Sequence, residues 1–166
     1  MKILANDGIS QSGIDALTEA GYEVITTNVA QEQLVSFINE NKIVVLLVRS
    51  ATTARKELIN TCPGLKIIGR GGVGMDNIDV EYAREKGLSV INTPAASSSS
   101  VAELVFAHLY GGVRFVYDSN RNMPLEGESN FKGLKKAYAK GIELRGKTLG
   151  IIGLRRIGQE VAKIAL

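Results

Sequence analysis

IVVLLV, residues 43–48, is apolar at every position. A half-buried strand alternates apolar and polar residues. An unbroken apolar run of this length therefore marks a strand covered on both faces, the habit of a parallel sheet flanked by helices. Outward from it the chain alternates strand and helix patterns. Upstream are a strand at 3–5, a helix at 12–20 with Ile14 and Leu17 turned inward and Gly21 as its stop, and a strand at 23–26. A helix at 32–40 follows, carrying Leu34, Val35 and Ile38. Downstream are a helix near 55–61, a strand at 65–68, a helix capped by Asp79 and ended by Gly87, and a strand at 88–92. Five strands joined by four helices make a complete α/β domain, a flavodoxin-like doubly wound parallel sheet.

The texture then changes. TPAASSSS, residues 93–100, is a small polar connector that divides the chain into a substrate-type α/β domain at 1–98 and a second region at 99–166. Ser100 and Glu103 have capping-box spacing, so a helix is expected to start there. It carries Leu104, His108 and Phe115 along one side, with Gly111 and Gly112 weakening it midway. Residues 120–132 read as an irregular loop, and Lys132, Lys135, Lys136 and Lys140 form a basic segment after it.

The last stretch, GKTLGIIGLRRIGQEVAKIAL at 146–166, passes from a strand pattern at 148–152 through Gly153 into helical spacing at Ile157, Val161 and Ile164. Such a turn sets the amides of a helix N-terminus around a pyrophosphate. The dinucleotide fingerprint G-x-G-x-x-G uses its glycines for a tight turn, close phosphate approach and close helix–strand packing. Gly153 and Gly158 hold the outer places here, and Arg155 stands in the middle one. The region 99–166 is expected to be a linker helix and the first strand-turn-helix of a Rossmann dinucleotide-binding domain, incomplete.

Composition excludes several classes. Hydrophobic residues at 45% and charged residues at 22% suit a globular chain rather than a disordered one. A net charge of +3 is too mild to point to nucleic acid without a basic stripe carrying stacking aromatics. No apolar run approaches the roughly 20 residues of a membrane span, and MKILANDG is too short an apolar start for a signal peptide. Cys62 is the only cysteine, so no internal disulfide forms and a reducing, cytoplasmic setting is expected. Just before a Pro-Gly turn, it reads as a bystander.

In open α/β sheets, ligands sit beyond the carboxyl ends of the strands. Two such ends are chemically loaded: Arg49-Ser50-Ala51-Thr52 after the third strand, and GRGGVGMDN, residues 69–77, after the fourth. Consecutive amides of a glycine-rich loop can converge as an anion-binding nest, and Arg49 can offer a forked donor to a carboxylate or phosphate. The bland alternative is a tight turn with arginines in surface pairs. His108, the only histidine, shares a helix side with Leu104 and reads as a packing residue. The serines at 97–100 read as capping and hinge residues, and the lysines as a solvated face.

Several stretches together resemble the D-isomer-specific 2-hydroxyacid dehydrogenases. They are VRSAT at 48–52, IIGRGGVGMDNIDVEYAREKGLSVINTP at 67–94, SVAEL at 100–104 and ELRGKTLGIIGLRRIGQEVA at 143–162. Within that family the likeness is strongest to the branch that oxidises 3-phosphoglycerate in serine biosynthesis. The resemblance implies a two-domain, cytoplasmic, homo-oligomeric NAD oxidoreductase acting on a small anionic 2-hydroxy or 2-keto acid. It implies substrate-binding roles for Arg49, Ser50, Arg70, Gly71, Gly72, Val73 and Gly74. It implies cofactor-binding roles for Val73, Gly153, Arg155, Arg156, Ile157 and Gly158. No metal is expected.

Departures from the family pattern qualify these implications. Arg155 replaces a glycine, and Ser97 stands where relatives often carry asparagine. The family's catalytic arginine, glutamate and histidine have no counterpart within residues 1–166. A truncated form, inactive alone, is therefore expected. A non-catalytic anion-binding or dimerisation module derived from the family is the alternative. A receiver-type signalling domain, suggested by Asp7 after the first strand, lacks the clustered acids and the lysine after the fifth strand that it would need.

Overall fold

The computed structural model describes all 166 residues, which divide into two compact units, Met1–Ala96 and Ser97–Leu166. The first is an open sheet of β1 (Lys2–Ala5), β2 (Glu23–Ile25), β3 (Ile43–Val48), β4 (Ile67–Arg70) and β5 (Ser89–Asn92). Its order is β2-β1-β3-β4-β5 and every pair is parallel. This is the flavodoxin-like doubly wound order, whose direction of winding reverses between β1 and β3. The helices are α1 (Gln11–Glu19), α2 (Gln31–Glu40), α3 (Lys56–Thr61) and α4 (Val80–Glu85).

The burial of β3 agrees with its apolar run: Ile43, Val45, Leu46 and Val48 are buried and the other two half-buried. Leu4 of β1, Ile68 of β4, and Leu34 and Ile38 of α2 complete the centre of the core. Burying each such side chain contributes about 1.5–3 kcal/mol. Ile14 and Leu17 of α1 are half-buried, so that helix covers the sheet lightly.

β4 lies two residues downstream of its expected place. Leu65 is buried ahead of the strand, and Lys66 opens the ladder by donating its amide to the Val44 carbonyl at 2.9 Å. Gly69 and Arg70 therefore belong to the sheet. A Cβ on Gly69 would lie 2.7 Å from Leu47 Cδ2, so the neighbouring side chain takes the space that any larger residue needs.

Asp79 does not cap its own helix. Its carboxylate instead accepts from the Lys56 amide at 2.9 Å and from Arg55 Nη1 at 3.0 Å, capping α3 next door. Those bonds, first the one from Arg55, hold its pKa below the ordinary range.

The second unit contains α5 (Ser98–Val113), α6 (Val116–Tyr138) and α7 (Arg156–Ala165). Ala102 and Phe106 of α5 pack against Val161 of α7, with Leu109, Ile151 and Ile157 around them. Four expectations are corrected here. First, α5 begins at Ser98, two residues early, closed by the Val101 amide on the Ser97 carbonyl, so Ser100 and Glu103 lie inside the helix and form no capping box. Second, α5 runs through Gly111 and Gly112, and Phe115 falls outside it at φ 55°, making the left-handed corner into α6.

Third, residues 120–132 are helical rather than a loop. They lie in two helices that meet at a bend at Asn130, where φ is −130°, and Asn122 Nδ2 donates to the Tyr138 hydroxyl at 3.0 Å across it. Fourth, no strand forms at 148–152. A strand is defined by a ladder with a neighbour, and the second unit offers none. Ile151 is half-buried while Ile152 is fully exposed.

Candidate functional site

The carboxyl ends of β1, β3, β4 and β5 open onto a crevice of about 650 Å³, at the reversal of winding where doubly wound sheets bind ligands. Asp7 to Ser10 come from the turn after β1, Arg49 from the end of β3, Arg70 and Gly71 from the end of β4, and Asn92 and Thr93 from the end of β5. Arg49 and Arg70 thus meet in one place. Neither forms an ion pair: the three salt bridges are Lys2–Glu23, Arg55–Asp79 and Lys163–Glu160. Arg70 Nε is buried without a hydrogen-bond partner. A buried, unpartnered donor is costly unless an acceptor arrives.

The loop at 49–54 is fastened on every side. Asp7 accepts from the Arg49 amide at 2.6 Å, the Thr52 amide at 3.1 Å and Thr52 Oγ1 at 2.5 Å. Asn6 Nδ2 donates to Thr52 Oγ1 at 2.8 Å. From the opposite side, Asn77 Nδ2 donates to the carbonyls of Arg49 and Thr52, at 2.9 and 2.7 Å. Gln31 clamps Thr53 through both its amide and its carbonyl. Ser50 sits exposed at the tip. Burial pushes the Asp7 pKa up, but the bonds from Thr52, Arg49 and Ala51 outweigh it, and the net direction is down.

The glycine loop is narrower as a nest than its composition suggests. The Gly71 amide donates to the Val48 carbonyl and the Gly72 amide to the Arg70 carbonyl. The amides of Val73 and Gly74 have no internal acceptor. Gly72 has φ 154°, and a Cβ there would overlap the Arg70 guanidinium, so this glycine leaves the room in which that group lies. Asn92 Nδ2 steadies the loop by donating to the Val73 carbonyl at 2.7 Å.

In the second unit, Gly153 takes φ 94°, as a tight turn into a helix requires. A Cβ on Gly158 would overlap the Gly153 carbonyl, so the third glycine serves close packing. Arg155 is exposed and extended at the N-cap of α7 and makes no side-chain cap bond. The opening amides of α7, at Arg156, Ile157 and Gly158, thus meet no protein cap. This turn fits the pyrophosphate end of a dinucleotide at its two outer glycines, with a cationic side chain at the middle place.

His108 is exposed, as is Leu104, because Ala102, Phe106 and Leu109 form the buried side of α5; the packing role expected for it is corrected. Asn77 falls within the glycine-rich loop expected after the fourth strand, whereas Asn92, Gln31 and Thr93 join the site unexpectedly. Their signal is position, since each follows or faces a strand end, but nothing in a lone asparagine distinguishes it from a turn residue. Among His, Cys, Asp and Glu no group is placed to hold a metal.

The chain thus joins a doubly wound domain with an arginine-lined strand-end crevice to a glycine turn of dinucleotide-binding type. The chain belongs to the D-isomer specific 2-hydroxyacid dehydrogenase family, whose catalytic-domain model matches residues 3–163. It is 44% identical over 165 residues to the D-3-phosphoglycerate dehydrogenase of Methanocaldococcus jannaschii, covering 99% of this chain and 30% of that one. It is 41% identical over 166 residues to the hydroxypyruvate reductase of Thermotoga maritima, of which it covers 52%.

Among solved structures, the TT0316 protein of Thermus thermophilus matches with a TM-score of 0.82 at 31% identity, over 99% of this chain and 52% of that one. The cofactor(NAD+)-bound 3-phosphoglycerate dehydrogenase of Entamoeba histolytica matches with a TM-score of 0.72 at 31% identity, over 99% and 50%. The chain thus spans between about a third and a half of the length of these relatives.

Proposed function

We propose that the whole protein is an NAD-dependent D-3-phosphoglycerate dehydrogenase, a cytoplasmic homo-oligomer serving serine biosynthesis. The substrate-framing domain is 1–98, and 99–166 begins the dinucleotide-binding domain. The observation that carries this reading is the pair of guanidiniums, Arg49 and Arg70, brought without acidic partners into one strand-end crevice. Both carboxylate and phosphate are planar or tetrahedral oxyanions that a guanidinium holds with paired bonds.

Arg49 and Arg70 hold the charged groups of the acid, the Val73 and Gly74 amides complete the anion contacts, and Ser50, Gly71 and Gly72 shape the loops. The amides of Arg156, Ile157 and Gly158 receive the pyrophosphate, with Gly153 turning the chain and Arg155 beside them. NAD supplies the hydride acceptor. The relatives named for NAD and for 3-phosphoglycerate support the choice of cofactor and acid.

Calorimetric titration of the 166-residue chain with 3-phosphoglycerate tests the reading. Binding that weakens at least tenfold in Arg70→Gln is expected; a chain that binds no 3-phosphoglycerate overturns it. A second reading, a non-catalytic anion-binding or dimerisation module, is favoured by exposed apolar residues of the second unit such as Tyr117 and Leu125, the latter 82% exposed.

A further inference from the structure

We infer that Asp7 is a positioning residue, whose carboxylate, opposed by the Asn77 carboxamide, sets the Arg49–Thr52 loop in the geometry that receives the anion. The inference rests on the crevice being an anion site. Asp7 stands in that crevice, where a bare carboxylate would repel the ligand. Its oxygens, however, are taken by the Arg49 and Thr52 amides and by the Thr52 hydroxyl. Asn77 holds the carbonyls of the same two residues from the glycine-loop side.

The loop is thus gripped by its N–H groups from the turn after β1 and by its C=O groups from the segment after β4. Arg49, whose backbone is gripped at both amide and carbonyl, is the residue whose direction this clamp controls. Preorganised groups cost less ordering when a ligand binds. The two roles open to a carboxylate here have opposite signs. As a bystander charge, Asp7 weakens anion binding; as a clamp, it strengthens it.

The test compares the 166-residue chain with Asp7→Asn, Thr52→Val and, as a destabilised control away from the crevice, Ile38→Val. Affinity for 3-phosphoglycerate is read by calorimetry, stability by thermal melting, and protection of the Arg49 and Thr52 amides by hydrogen exchange. In Asp7→Asn affinity is expected to fall at least tenfold and both amides to lose protection, while Ile38→Val lowers the melting temperature and leaves affinity unchanged. Thr52→Val, which removes one donor to Asp7 and one acceptor of Asn6, is expected to lose several-fold and serves if Asp7→Asn fails to fold. Unchanged or tighter binding in the Asp7 and Thr52 variants overturns the inference. If the unaltered chain binds no 3-phosphoglycerate, the crevice reading fails, and exchange alone then judges the clamp: retained protection of both amides in Asp7→Asn overturns it.

Discussion

Asp7 shows how one charge is tolerated and used. Its pKa is held down by the donors of residues 49–52 against the opposing effect of burial. Folding therefore lowers its pKa, so the stability it contributes is present at neutral pH. That stability is lost as pH falls from about 4 through the folded value. Acid unfolding followed by circular dichroism is expected to show a shallower fall of stability below about pH 4 in Asp7→Asn than in the unaltered chain. Equal slopes would mean the carboxylate is not held in the folded state. Arg155 poses the reverse question, a cation where phosphates approach. In the whole protein, Arg155→Gly is expected to tighten NAD binding by about 1–3 kcal/mol, the scale of a helix donor regaining its acceptor. Calorimetry reading equal or weaker binding would instead assign the guanidinium to the phosphates.

At the scale of elements, legibility follows whether a signal is local. β3 is readable because both its faces are covered, which removes alternation and leaves six apolar residues in a row. The arginine and glycine loops are readable because strand ends are where doubly wound sheets bind. Asp79 is not readable as the cap of α3, since 23 residues separate it from Lys56 and only the fold brings them together. α6 is masked by Pro124, Gly127 and Gly133, which lower helix propensity, and the bond that joins its two parts, Asn122 to Tyr138, links residues 16 apart in sequence. The expected strand at 148–152 has the right residues and no partner. α2 offers a direct test of packing. Leu34 is fully buried against the sheet, so Leu34→Ala is expected to cost about 2–5 kcal/mol in chemical denaturation. A loss below about 1 kcal/mol would mean that α2 is not seated as described.

For the molecule as a whole, the two units differ in how their backbones are satisfied. Residues 44–47 sit in a ladder with strands on both sides, whereas 149–152 have no ladder at all. Amide exchange is therefore expected to be slow in the first segment and fast in the second; equal protection in a demonstrated monomer would contradict this. The 166-residue chain with NAD and 3-phosphoglycerate is expected to form no NADH, because the family resemblance assigns none of residues 1–166 to the catalytic arginine, glutamate and histidine. Binding is separable from turnover: the acid is proposed to enter the strand-end crevice of the first unit. Amide chemical-shift mapping of the 166-residue chain during titration with 3-phosphoglycerate tests this most directly. Saturable shifts at Arg49, Gly71, Val73 and Gly74 are expected. Shifts confined to the lysines at 132–140, or none at any concentration, would contradict it.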